Sequence, residues 1–108
     1  MVHEADTLAR TLGHHNTAFC QGDAEALPLG HEICDLVTSK LAFHYFPQPQ
    51  VAVAEMVRVA TRTARVVLID RVSPEDLGKR AYRNRLEKLR TPSQTYVYSA
   101  SQLLTALE

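Results

Sequence analysis

Between Arg65 and Asp70 the chain runs Val66-Val67-Leu68-Ile69, four aliphatic residues with no polar break. A strand with one face in water alternates apolar and polar side chains. An unbroken aliphatic run reads instead as a strand covered on both faces. Such strands belong to sheets flanked by helices, so the rest of the chain has to supply helices. Val2, Ala5, Leu8, Ala9 and Leu12 fall at helical spacing ahead of Gly13, which predicts a helix over 2–12. A second helix is expected from about Gln50 to Ala60, with Val53, Ala54, Val57 and Ala60 inward. Ser73-Pro74-Glu75-Asp76 opens a third, basic helix that ends before Thr91-Pro92. Ser stands there as N-cap, Pro at the first helical position and Asp in the capping-box place. Ser99-Ala100-Ser101-Gln102 starts a short fourth helix with Leu103, Leu104 and Leu107 on its apolar side. Thr17 to Gln21 and Ile33 to Ser39 are the other strand candidates. Strands alternating with helices predict an α/β fold with about three parallel strands and flanking helices, one domain over 1–108.

A length of 108 residues suits one domain, and 45% hydrophobic with 22% charged residues excludes disordered and fibrous classes. No apolar run approaches the roughly 20 residues of a membrane helix. The N-terminus lacks the basic start and apolar core of a signal peptide, so the expectation is a cytoplasmic protein. Cys20 and Cys34 form no C-x-x-C pair, and His3, His14, His15, His31 and His44 match no zinc spacing; no metal is expected. The net charge of zero hides an asymmetry: two basic against seven acidic residues over 1–57, ten basic against five acidic over 58–108. The bases gather in Lys79, Arg80, Arg83, Arg85, Lys88 and Arg90, behind Glu75 and Asp76. Acid before base is the order a helix dipole favours. Only Tyr82 supplies an aromatic ring between them, so this reads as a solvated helix and not a nucleic-acid surface.

Ligands of open α/β sheets sit beyond the carboxyl ends of the strands. Three segments follow such ends: Gly22-Asp23-Ala24-Glu25-Ala26-Leu27-Pro28-Leu29, then Ser39 through His44-Tyr45-Phe46-Pro47, then Asp70-Arg71-Val72-Ser73-Pro74. With Cys34-Asp35 ahead of Ser39, Glu55-Met56-Val57-Arg58-Val59 ahead of Asp70, and Leu89-Arg90-Thr91-Pro92-Ser93-Gln94 beyond it, they carry a family pattern. The chain resembles the S-adenosylmethionine-dependent methyltransferases of the seven-stranded, Rossmann-like class, in particular the small-molecule branch that holds the ubiquinone and menaquinone C-methyltransferases. The resemblance implies that the Asp23 carboxylate accepts from the adenine amino group while the Ala24 N–H meets the ring. It places Ser39, Lys40 and Leu41 under the methionine part of the cofactor, and His44 and Tyr45 at the methyl-transfer region.

The residues alone leave alternatives open. Asp after Gly22 also suits a turn cap. Phe43, Tyr45 and Phe46 can cap the core around a solvated His44, and Asp70 can orient a substrate or cap the following loop. The family's P-G-G turn reads Arg62-Thr63-Ala64 here, and its His-His pair reads His44-Tyr45. Its Gly-rich loop and ribose-binding acid have no counterpart in these residues. The expectation is therefore a partial, N-terminally truncated sheet. It would transfer a methyl group to a small molecule, or be inactive alone, with weak or absent S-adenosylmethionine binding. The alternative is a non-catalytic interaction module; in either case a homo-oligomer through exposed strand edges is expected.

Overall fold

The structure is a computed structural model, and it describes residues 1–91 and 96–107. The elements are α1 (Val2–Thr11), β1 (Cys34–Lys40), a 3-10 turn (Phe43–Tyr45), α2 (Pro49–Val59), β2 (Ala60–Ile69), α3 (Leu77–Arg90) and α4 (Ala100–Leu107). Among the described residues the sheet has two strands where about three were expected: β1 and β2 pair in parallel, from Leu36 opposite Arg65 to Lys40 opposite Ile69. Residues 17–21 are exposed and carry no strand. A strand exists only where a neighbour takes its N–H and C=O groups, and this segment pairs with neither β1 nor β2. The Pro92-Ser93-Gln94 part of the family-like element falls outside the described residues.

α2 connects the strands and packs on them. Its buried side is Pro49, Ala52, Val53, Met56 and Val59; Val53 lies inward as expected, but Ala54 and Val57 face out. Val59 passes directly into β2, which is longer than its aliphatic run suggests and begins at Ala60. The register jumps between Cys34 opposite Ala60 and Leu36 opposite Arg65, so residues 61–64 are taken up as an irregularity in β2. Val66, Val67 and Leu68 are half-buried and Ile69 is exposed, short of the expected cover on both faces. Two strands give too narrow a sheet to shield either face fully.

α3 starts at Leu77 with Asp76 as its cap, whose Oδ1 accepts from Lys79 N–H at 2.9 Å. Ser73 does not cap it, because Ser73 is buried against the segment before α4, donating its N–H to Tyr98 O at 2.8 Å. Arg80 is buried, not solvated: it donates to the carbonyls of Pro74 at 3.0 Å and Glu75 at 2.7 Å. α4 opens as expected, with a reciprocal capping pair in which Gln102 Oε1 accepts from Ser99 N–H and Ser99 Oγ from Gln102 N–H. Among the described residues the largest fully buried side chains are Phe43, Val59, Val97 and Ser99. The radius of gyration, 16.0 Å, exceeds the roughly 13 Å of a compact domain of this length. No helix among the described residues is long and apolar enough to cross a membrane.

Candidate functional site

Leu41 leaves β1 with φ +56°, a left-handed conformation that L side chains rarely adopt. Its N–H donates to Ile69 O at 2.7 Å, which pins this turn to the end of β2. The chain then places Phe43 and His44, both buried, against the neighbouring strand end. There Asp70 collects three donors. Its Oδ1 lies 2.7 Å from His44 Nδ1 and accepts from Arg71 N–H at 2.7 Å, and its Oδ2 accepts from His44 N–H at 3.1 Å. The His44 and Asp70 side chains are 4% and 3% exposed. A carboxylate has no proton to give, so Nδ1 carries a proton, and in a neutral ring Nε2 is then the acceptor. Arg71 Nη2 stands 3.4 Å from that Nε2, and Arg71 Nη1 reaches Glu87 of α3 at 3.5 Å. Tyr45 packs against His44 with ring centroids 4.3 Å apart and planes tilted by 41°, and at 41% exposed it is the member of the pair that meets solvent.

A second feature lies along β1. A cleft of about 310 Å³ is lined by Ala24, Leu27, Val37, Ser39, Phe46 and Met56, among others. It brings together Ala24 and Ser39, which are far apart in sequence. Asp23 sits beside it in a tight turn: Asp23 Oδ1 accepts from Glu25 N–H at 2.9 Å, and Asp23 O from Ala26 N–H at 2.9 Å. The turn closes so tightly that a Cβ on Gly22 would lie 2.8 Å from the Pro28 ring, which is why glycine stands there. Lys40 and Leu41 are exposed at the end of β1 and are not among the cleft's lining residues. Among the described residues, no group of three or more His, Cys, Asp or Glu side chains could hold a metal ion.

The methyltransferase domain family matches residues 1–68, well over half of the chain. The chain belongs to the class I S-adenosylmethionine-dependent methyltransferase family. It is 36% identical over 102 residues to the uncharacterized methyltransferase YcgJ of Bacillus subtilis (strain 168), covering 94% of this chain and 40% of that protein. The crystal structure of YcgJ superposes with a TM-score of 0.91 at 35% identity, covering 98% of this chain and 45% of that one. The cyclase SpnF matches with a TM-score of 0.80 at 25% identity, over 98% of this chain and 36% of SpnF. The chain thus spans less than half the length of these relatives. A cyclase among the neighbours is a reminder that the reaction is set by the site and not by the fold.

Sequence reasoning named His44 and Asp70 separately but not their pairing, and it did not single out Arg71. Asp70 at the end of an aliphatic strand was the available signal, since strand ends are where α/β folds place chemistry. Glu25, Glu55 and Arg58, which fix the 22–29 loop, were visible only as parts of motifs.

Proposed function

We propose that this chain carries the adenine-facing cleft and the acceptor-facing strand ends of an S-adenosylmethionine-dependent methyltransferase acting on a small molecule. The observation that carries this reading is the convergence of Ala24 and Ser39 on one cleft beside the Asp23 turn. Leu27, Val37, Phe46 and Met56 give the cleft apolar walls that suit a purine face. Asp23 Oδ1 is occupied by Glu25 N–H, while Oδ2 has no hydrogen-bond partner among the described residues and suits the exocyclic amine of adenine. These residues fit the adenine end of the cofactor. Ser39, Lys40 and Leu41 would approach its methionine end through their backbone. When bound, S-adenosylmethionine supplies an electrophilic methyl group.

His44 and Tyr45 then belong to the acceptor side. Asp70 holds the His44 ring with Nε2 as a proton acceptor, and Tyr45 offers an exposed ring over which a flat acceptor can settle. His44 can take a proton from an O–H or C–H acceptor when Arg71 yields its place at Nε2. Methyl transfer asks mainly for alignment, which a rigid, buried His44 favours.

Calorimetric titration of the chain with S-adenosylmethionine tests the cofactor reading. Binding weaker than micromolar is expected, because the contacts named here serve mainly the adenine end. Asp23→Ala should weaken it further by about 1 to 3 kcal/mol, the cost of leaving a donor unpaired. Micromolar affinity in the wild-type chain contradicts the expected weakness, and an Asp23→Ala variant with unchanged affinity removes Asp23 from the site.

A second reading is favoured by one observation: within the described residues β1 is paired with β2 alone, so its other edge is open. The chain can therefore act as an interaction module that associates through that edge.

A further inference from the structure

The 22–29 loop belongs to no helix or strand, yet Glu25, Glu55 and Arg58 all spend their charged groups on holding it. Glu55, in the last half of α2, accepts the Leu27 N–H on Oε2 at 2.9 Å. Arg58, one turn later, donates to both oxygens of Glu55, at 2.8 and 2.7 Å. The same guanidinium donates to Leu29 O at 2.8 Å and Leu27 O at 3.1 Å. At the other end of α2, Glu25 Oε1 accepts the Gln48 N–H at 2.7 Å, so the loop also caps the helix on which it lies. A planar, five-donor fork can serve a carboxylate and two carbonyls at once, whereas an ammonium cannot. Neither Glu55 nor Arg58 lines the cleft.

We infer that Glu55 and Arg58 are positioning residues: through Leu27 and Leu29 they hold the loop in the shape that presents Asp23 and Ala24 to the cleft. This rests on the adenine reading above for its purpose, but the hold itself can be measured without ligand. Glu55 is also held below the usual carboxylate range, first by the Arg58 hydrogen bonds, then by the Leu27 N–H, with His31 adding positive charge. A group with a lowered folded pKa stabilises above its unfolded value and loses that contribution as pH falls through the folded one. The charged groups facing Glu55 are Arg58 on its own helix and His31 on the loop side.

Hydrogen exchange of the Leu27 amide is the readout, with the Leu41 amide of the β1–β2 end as the folding control. Arg58→Lys should raise Leu27 exchange at least tenfold while Leu41 protection persists. The milder Glu55→Gln should raise it less and remove the loss of Leu27 protection expected of the wild type as Glu55 is protonated, which mere space-filling would not do. In parallel, S-adenosylhomocysteine is titrated while NMR shifts at Asp23 and Ala24 are followed. Arg58→Lys should raise the apparent Kd about tenfold. Unchanged Leu27 exchange in both variants, with ligand shifts intact, overturns the inference and leaves the adenine reading standing. Latch-dependent exchange with no ligand shifts in the wild type overturns the adenine reading, and with it the role of the pair toward a cofactor.

Discussion

Asp70→Ala is expected to destabilise the chain by about 3 kcal/mol or more, since each buried donor left without its acceptor costs about 1 to 3 kcal/mol. Three donors lose their acceptor together: His44 Nδ1, His44 N–H and Arg71 N–H. Each is at or near the buried strand end, where water does not replace the lost bond cheaply. Small domains sit near the bottom of the roughly 5 to 15 kcal/mol range of native stability, so this loss should leave little folded chain. Asp70→Asn keeps one carbonyl acceptor but turns an amide NH2 toward a donor, and should fall in between. Urea unfolding gives the midpoints, and the ¹⁵N shifts of the His44 ring report the proton on Nδ1 in the wild type. A midpoint for Asp70→Ala that corresponds to less than about 0.5 kcal/mol would mean the pair contributes no more than a surface contact.

The same residues show what could be read from sequence and what could not. Ser99 and Gln102 are three residues apart and satisfy each other locally, so the start of α4 was legible. Ser73 also looked like a cap, but its role depends on Tyr98, which is distant in sequence, and the cap passed to Asp76. In α2 the apolar residues are dense enough that two faces are plausible, and packing against β1 and β2 selected the one with Met56 and Val59. Thr17 to Gln21 has strand composition but no neighbour, and strand composition alone does not make a strand. In the site, Asp23, Ala24, Ser39 and His44 could be named from the family pattern. The carboxylate that orients His44 could not be assigned, because hydrogen-bond partners 26 residues apart leave no local spacing to detect.

In solution the chain is expected to associate as a dimer or larger assembly through β1, and to lose that state when one edge donor is removed. Leu41 N–H donates to β2, and a strand alternates its backbone groups side to side. Leu36, Thr38 and Lys40 therefore turn their N–H and C=O groups to the open edge. Around that edge Leu29, Ile33, Leu36 and Leu41 are 42%, 56%, 58% and 50% exposed. The accessible surface, 7840 Å², is well above the about 6,000 Å² of a compact monomer of this mass. An open edge beside apolar side chains is the arrangement that recruits another strand. Thr38→Pro removes an outward donor and leaves the bonds to β2 in place, since only the open side loses an N–H. Sedimentation at micromolar concentration should show an assembly for the wild type and a monomer for Thr38→Pro. If the wild type instead sediments as a compact monomer and melts in one sharp cooperative step, the edge is not seeking a strand, and the chain is stable as the two-stranded unit it forms alone.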